Sequence, residues 1–186
     1  MHDLVAITAL GGAAPRVDTV GPVTFTEVPD VALTSVAARL GQEAKAREAL
    51  ANVIGAPAPD IQRIAGGEKT AFWSGPDQWM VEAPYNGHHD LADQVKAAVG
   101  NTASVTEQTD AWVRFDLRGD GIPSVLELLS QLDLRCLSSG TAARCSIHHV
   151  GCYLLCRDAN HYSIYGPRSS AGSLHHAVLT SMRSVY

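Results

Sequence analysis

Hydrophobic and polar residues alternate most clearly near the middle of the chain. Val113, Phe115 and Leu117 alternate with Trp112, Arg114 and Asp116. This period of two is typical of a strand that has one face on the core. Shorter runs of the same kind predict further strands at 23–28, 61–65, 103–106, 143–149, 152–157 and 161–165.

Two aromatic runs meet at a Gly-Pro dipeptide earlier in the chain. The segment reads Phe72-Trp73-Ser74-Gly75-Pro76-Asp77-Gln78-Trp79-Met80-Val81. Glycine supplies backbone freedom and proline fixes φ at a turn, while aromatic and β-branched residues suit a pleated surface. A strand, a turn and a second strand are therefore predicted. A second dipeptide of this kind, Gly166-Pro167, follows an apolar strand and precedes a helical pattern, which predicts two related halves.

Apolar residues at helical spacing predict four helices. They cover about 33–54, 89–99, 122–132 and 170–183. Gly41 weakens the first of these patterns, Pro123 suits the first turn of the third, and Ser169 or Ser170 is the natural N-cap of the last.

The order of strands and helices predicts an α+β fold in which helices pack on mostly antiparallel sheets. Residues 1–22 contain Gly-Gly and two X-Pro steps, which favour a flexible N-terminal arm. The remaining 23–186 is predicted to be a single pseudo-duplicated domain with halves at about 23–107 and 108–186.

The composition sets limits on the partners of the chain. Its 186 residues are 46% hydrophobic and only 18% charged, below the roughly 25% charged residues of an average soluble domain. A surface covered by a partner would explain this deficit, and so would ordinary variation in composition.

Charge and hydropathy exclude several classes of function. The formal net charge is −5 and Lys and Arg form no run, which argues against a nucleic-acid groove or an anionic membrane surface. No apolar stretch reaches about 18 residues, and the N-terminus lacks the pattern of a secretory signal. We therefore expect a cytoplasmic protein that binds neither nucleic acid nor membrane.

Cysteine and histidine are concentrated in one segment, which raises the question of a metal site. Cys136, Cys145, Cys152 and Cys156 include no paired C-x₂-C knuckle, so free, buried thiols are the favoured interpretation. A small metal-binding protein that uses Cys145, His148, Cys152 and Cys156 is the alternative. No phosphate loop or dinucleotide fingerprint is present, and we expect no catalytic, cofactor-binding or metal-binding residue in this chain.

The polar face of 112–117 has two interpretations. Trp112, Arg114 and Asp116 could pack and pair with neighbouring strands, or they could form a protein interface, because Trp and Arg are enriched at interface hot spots. The residues that we predict for a partner interface are Trp73, Trp79, Trp112 and Arg114.

Several runs resemble the gamma subunit of heterotetrameric sarcosine oxidase. The resemblance covers about residues 30–183, and its motifs keep the order and spacing of that family. The runs are 72–81, then Ser104-Val105-Thr106-Glu107-Gln108-Thr109-Asp110-Ala111-Trp112-Val113-Arg114-Phe115-Asp116-Leu117-Arg118-Gly119, then Leu132-Asp133-Leu134, and finally Tyr165-Gly166-Pro167-Arg168-Ser169-Ser170-Ala171. The chain departs from the family where a proline is common in the Leu-Asp-Leu region, and its Cys-rich strand is unusual.

The resemblance implies the folate-binding fold of glycine-cleavage aminomethyltransferases. It also implies a complex with alpha, beta and delta subunits that oxidatively demethylates sarcosine or a related N-methyl amine. FAD, FMN, NAD and zinc belong to the other subunits of that family, and tetrahydrofolate accepts the one-carbon unit. The gamma chain would then have a structural or assembly role without an active site.

The rival hypothesis is a free-standing folate-dependent one-carbon transferase of the same fold. Such an enzyme needs a carboxylate to hold the pterin ring. Asp110 and Glu107 are the nearest candidates, although both also fit polar positions at a strand edge.

Overall fold

Two compact units make up the protein in a computed structural model that describes residues 5–186. The first unit contains the described residues up to 29 together with 110–139 and 144–186, and the second contains 30–109 and 140–143. Two antiparallel sheets and four helices confirm the predicted α+β class. Among the described residues, none of the helices is both long and apolar enough to cross a membrane.

A six-stranded sheet forms the first unit, except that residues 141–143, at the start of one edge strand, are grouped with the second unit. Its strands are, in spatial order, β1 (Val17–Val20), β2 (Val23–Glu27), β8 (Trp112–Gly119), β11 (His161–Pro167), β10 (Val150–Asp158) and β9 (Thr141–Ile147). The helices α3 (Ile122–Leu126) and α4 (Ala171–Val185) pack on one face. There Phe115 lies 5.1 Å from Phe25, ring centre to ring centre, among the buried side chains Leu117, Ile164 and Leu174.

Residues 17–20 are predicted to belong to a flexible N-terminal arm, but in the structure they form β1 at the edge of the sheet. The buried Glu27 carboxylate accepts backbone hydrogen bonds from Leu10 and Arg16. Asp18 on β1 accepts a hydrogen bond of 2.8 Å from the ring of His175 on α4. These long-range bonds fix a segment whose local composition favours disorder. Residues 1–4 of the predicted arm lie outside the described residues.

The third predicted helix is shorter than its apolar pattern. It ends at Leu126, and the Ser130 hydroxyl accepts a hydrogen bond from the backbone N–H of Leu132. Such local side-chain bonds compete with helical ones. Leu129 and Leu132 still pack against the core, which explains why the apolar spacing extends beyond the helix.

A five-stranded sheet forms the second unit. Its strands are, in spatial order, β4 (Ile64–Gly66), β5 (Thr70–Gly75), β6 (Gln78–Pro84), β3 (Val31–Ala38) and β7 (Ala103–Glu107). The helices are α1 (Glu43–Ile54) and α2 (Leu91–Val99). The core of this unit includes Trp79, Val36, Leu50, Val95 and Val81.

The prediction of one helix over 33–54 is wrong in its first part, which is the interior strand β3. Val36 pairs with Trp79 on β6 and with Val105 on β7, so the strand has neighbours on both sides. Gly41, with φ of +76°, lies in the turn before α1 begins at Glu43. Two ladders of hydrogen bonds outweigh a weak helical pattern that Gly41 already interrupts.

The predicted halves also differ from the structural units, because β2 belongs with the later strands. Val23 pairs with Gly119, so β2 lies beside β8 in the first unit. The two Gly-Pro dipeptides are not equivalent corners either. Gly75-Pro76 is at the β5–β6 hairpin, whereas Gly166 and Pro167 end β11 and still pair with Val113 and Trp112.

Candidate functional site

A buried carboxylate lies at the centre of a polar cluster on β8, β10 and β11. We call Arg114, Asp116, Arg157, His161 and Ser163 the Asp116 cluster. Asp116 on β8 pairs directly with Ser163 on β11, and the sheet alternation places both away from the face that carries Phe115 and Ile164. Asp116 is only 4% exposed, and Ser163 is completely buried.

Four hydrogen bonds reach the Asp116 carboxylate. Oδ1 accepts from Arg114 Nε at 2.8 Å and from Ser163 Oγ at 2.7 Å. Oδ2 accepts from Arg114 Nη2 and His161 Nε2, both at 2.8 Å. Because a carboxylate only accepts, His161 Nε2 is the donor in this contact. The Arg114 interaction is bidentate, which is the strongest geometry for this pair.

These contacts determine the ionisation of Asp116. Burial by itself would raise the pKa of Asp116, but the hydrogen bonds from His161, Arg114 and Ser163 and the charge of Arg114 outweigh it. The pKa of Asp116 is therefore held well below its usual value of 3.8. The carboxylate is charged at neutral pH and its acceptor sites are occupied.

The cluster does not have the arrangement of a nucleophilic triad. Ser163 donates its hydroxyl proton to Asp116, and its oxygen accepts a hydrogen bond of 3.0 Å from Arg157 Nε. An activated serine would instead donate to a histidine base. The chemistry supported by this geometry is fixation of three neighbouring strands by a charged hydrogen-bond network.

Of the Asp116 cluster, the sequence singled out Arg114 and Asp116 but not Arg157, His161 or Ser163. A matching pattern on two predicted strands could have indicated the pairing. Arg114, Asp116 and Arg118 occupy alternate positions of one strand, and His161 and Ser163 occupy alternate positions of the other. Two strands with matching polar alternation pair through those residues when the opposite faces are apolar. Nothing local specifies that β8 and β11 are neighbours.

A second feature is an open groove of about 450 Å³ on the second unit, which we call the Trp73 groove. Its lining residues are Arg47, Asp60, Ile61, Trp73, Pro76, Asp77 and Trp79. The β5–β6 hairpin pairs Trp73 directly with Trp79, so both indoles are on the same face of the sheet. Trp79 donates a hydrogen bond of 2.9 Å from Nε1 to the Pro59 carbonyl.

The four residues predicted for a partner interface lie in different environments. Trp79 is 1% exposed and belongs to the core of the second unit, while Trp73 is half-buried in the groove. In the first unit, the Trp112 ring lies 5.3 Å from that of Tyr153, and Arg114 belongs to the Asp116 cluster. The interface itself stays a prediction.

Three of the four cysteines, Cys145, Cys152 and Cys156, lie on the β9–β10 hairpin. His148 and His149 make its two-residue turn, with φ of +46° and +69°, and both positive values are those of a type I′ hairpin turn. Cys145, Cys152 and Cys156 pack in or against the core of the first unit. Across residues 5–186, no three His, Cys, Asp or Glu side chains are grouped so that they could share a metal ion.

Burial controls the chemistry of the thiols. It raises the pKa of Cys145 to about 11 and, with the nearby Cys145, that of Cys152 to about 12. Burial also raises the pKa of Cys156. Cys136 is exposed, and the hydrogen bond from its Sγ to Asp133 raises its pKa. None of the four thiols has the lowered pKa of a reactive cysteine.

We predict that only one of the four thiols, the exposed one of Cys136, reacts with an aromatic disulfide reagent in the folded protein. At pH 7.5 the native protein should release about one equivalent of thiolate slowly from Cys136, and the other three should react only after unfolding. The Cys136→Ser variant should lose this native reaction, whereas Cys145→Ser should keep it. Rapid reaction of two or more thiols in the folded protein would contradict the buried positions.

The two carboxylates considered as pterin anchors are on the surface. The Asp110 side chain is 93% exposed and lies 3.8 Å from Arg168. Glu107 is also exposed, and it accepts a hydrogen bond from the backbone N–H of Thr109. A group that holds a pterin ring has to line a concave site, and neither carboxylate lines the Trp73 groove.

Comparison with solved structures identifies the fold. One similar structure is heterotetrameric sarcosine oxidase from Corynebacterium sp. U-96 in complex with pyrrole 2-carboxylate, with a TM-score of 0.77 and 23% identity over 90% of this chain and 87% of that chain. Another is glycine cleavage system aminomethyltransferase T from Bartonella henselae, with a TM-score of 0.67 and 15% identity over 87% of this chain and 46% of that one. No protein-family model matches the chain, and the search of curated proteins gave no match. The chain thus has the fold shared by these two proteins, as the resemblance in its motifs predicted.

Proposed function

We propose that this chain is a non-catalytic, gamma-type subunit of a sarcosine oxidase-type complex. The complex would oxidatively demethylate sarcosine or a related N-methyl amine and transfer the one-carbon unit to tetrahydrofolate. The chain would have a structural or assembly role beside alpha, beta and delta subunits. Those subunits would carry FAD, FMN, NAD and zinc.

The observation that carries this proposal is the fold likeness to the sarcosine oxidase structure over most of both chains. The motif order within 72–81, 104–119 and 165–171 supports it independently, because these runs are the ones that resemble the gamma subunit family. By contrast, the aminomethyltransferase is covered over less than half of its own length.

The environments of three carboxylates support this proposal. The Asp116 carboxylate is occupied by Arg114, His161 and Ser163, so it is not available as a base or as a ligand anchor. Asp110 and Glu107 are exposed to solvent. A transferase would require one of these carboxylates, or another, to face a folate pocket.

Co-expression tests the proposal directly. We expect the chain to co-purify with flavoprotein subunits encoded by neighbouring genes and to contribute to the recovery of an intact sarcosine-oxidising complex. Isothermal titration of the isolated chain with tetrahydrofolate should show no binding. A stable monomer that does not associate with these flavoproteins would contradict the subunit role, and tight folate binding would favour the transferase.

A further inference from the structure

One half of the Trp73 groove already holds a cation that belongs to the chain. The Arg47 guanidinium lies 5.5 Å from the centre of the Trp79 ring. Its Nη2 donates to an Asp60 carboxylate oxygen and to the Ala58 carbonyl, the latter at 3.0 Å. A tryptophan face and a carboxylate therefore hold a guanidinium by cation–π attraction and charge.

The other half repeats the tryptophan and the carboxylate without the cation. Trp73 is the direct cross-strand partner of Trp79, and Asp77 is in the turn that joins their strands. Both residues line the same groove. Within residues 5–186, neither Trp73 nor Asp77 is paired with a Lys or Arg side chain.

The backbone at Asp77 adds a second observation. Asp77 has φ of +51° and follows Pro76, which is the position of a two-residue turn that normally carries Gly or Asn. Aspartate tolerates this conformation less well than glycine does. A carboxylate is thus present at the rim of the groove, although the turn alone would favour glycine.

We propose that the Trp73 groove docks a basic side chain, arginine or lysine, from a partner polypeptide. The apolar stem of that side chain would lie along Ile61 and Pro76, and its charged end would lie over Trp73 beside Asp77. The inference rests on the proposed function for its premise that the chain has a partner subunit.

Charge and shape favour this occupant. Ile61 is 71% exposed beside Trp73, which offers apolar area to a long methylene stem. Arg47 and Asp60 neutralise one another, so Asp77 gives the groove a net negative charge, and the whole chain has a formal charge of −5. A partner segment with a positive side chain complements this surface in the way that steers and orients association.

Nuclear magnetic resonance of the intact chain tests the site with defined probes. The protein contains three tryptophans, so its indole N–H region is simple, and the Trp73→Phe variant identifies the Trp73 signal. The probes are capped tripeptides with Gly on either side of Arg, Lys or Gln. We expect the Arg and Lys peptides to shift the Trp73 indole signal saturably at millimolar concentration, and the Gln peptide to leave it unchanged.

Variants at the rim distinguish docking from a structural role. Glycine adopts a positive φ without strain, so Asp77→Gly should keep or raise the thermal stability. The same variant should lower the affinity for the Arg peptide about fivefold. Asp77→Asn should weaken binding by a similar factor. Glu48→Gln removes an exposed carboxylate on α1 outside the groove and should leave the peptide affinity within twofold.

Several outcomes would overturn the inference. These are equal shifts from the Gln and Arg peptides, a response to N-methylglycine without a response to Arg or Lys, or a concentration-dependent dimer that Trp73→Leu abolishes. Unchanged Arg binding in Asp77→Gly would also overturn it. If the chain co-purifies with flavoproteins but binds no basic peptide, only this inference is contradicted. If it binds the basic peptides but does not co-purify, only the proposed complex is contradicted.

Discussion

Replacing Asp116 by alanine is expected to lower the free energy of unfolding by about 3 to 5 kcal/mol. The Asp116 side chain is buried and accepts four hydrogen bonds, two of them from Arg114 and one each from His161 and Ser163. The substitution removes the acceptor but leaves the donors of Arg114, His161 and Ser163 without it. A buried donor that loses its acceptor costs more free energy than the removal of donor and acceptor together. Urea unfolding followed by circular dichroism measures the loss.

The stabilisation by Asp116 should depend on pH in one direction. Because the pKa of Asp116 is lower in the folded protein than in the unfolded chain, its contribution is fully present above the unfolded value and is lost as the pH falls through the folded one. The difference in stability between wild type and Asp116→Ala should be constant above about pH 5 and shrink progressively below about pH 4. A difference that grows on acidification would contradict the charged carboxylate.

Asp110→Asn is the matched control for this prediction, because it removes a carboxylate from a side chain that is 93% exposed. We expect a change within about 0.5 kcal/mol. If Asp116→Ala were equally mild, the cluster would not be the stabilising centre of the strands that it connects. An intermediate cost for Ser163→Ala, which removes one donor, would support the network.

Trp79→Ala is expected to destabilise the protein by about 3 to 5 kcal/mol. The indole is 1% exposed in the core of the second unit, and its removal leaves a cavity among Val36, Leu50 and their neighbours. The variant also loses the hydrogen bond to the Pro59 carbonyl and the face over which Arg47 lies. Chemical unfolding of the two proteins under the same conditions gives the difference.

Trp73→Ala is the matched control on the opposite strand, and its cost should be about 1 to 2 kcal/mol because the side chain is half-buried. The contrast separates two residues that the sequence presents as equivalent members of one motif. If Trp79→Ala retained wild-type stability and lost only partner binding, Trp79 would be an interface residue rather than a core residue.

Elements with strong local signals are present close to the positions predicted for them. β8 was expected from the alternation of Val113, Phe115 and Leu117 and spans Trp112–Gly119. The Gly75-Pro76 hairpin and α2 (Leu91–Val99) also agree with their patterns. These signals are local, because side-chain periodicity and turn geometry involve residues that are only a few positions apart.

Where the local signal was ambiguous, the prediction differed from the structure. Leu33, Val36 and Leu40 have helical spacing, yet Val36 is in the interior strand β3, with β6 and β7 on either side. The apolar residues Leu129 and Leu132 continue a helical pattern beyond the end of α3 while packing on the core. In both cases, contacts with distant parts of the chain outweigh a modest propensity.

The pairs of distant residues are the part that no local pattern specifies. Asp116 meets His161 and Ser163 across 45 and 47 residues of sequence, and Val23 pairs with Gly119 although residues 30–109 of the second unit lie between them in the sequence. Amino-acid order alone therefore established the α+β class, most strands, the Gly75-Pro76 hairpin and the family resemblance. Folding in three dimensions assigned Asp116 to a buried network and Trp79 to a core, because strand pairing and burial depend on contacts between segments far apart in the chain.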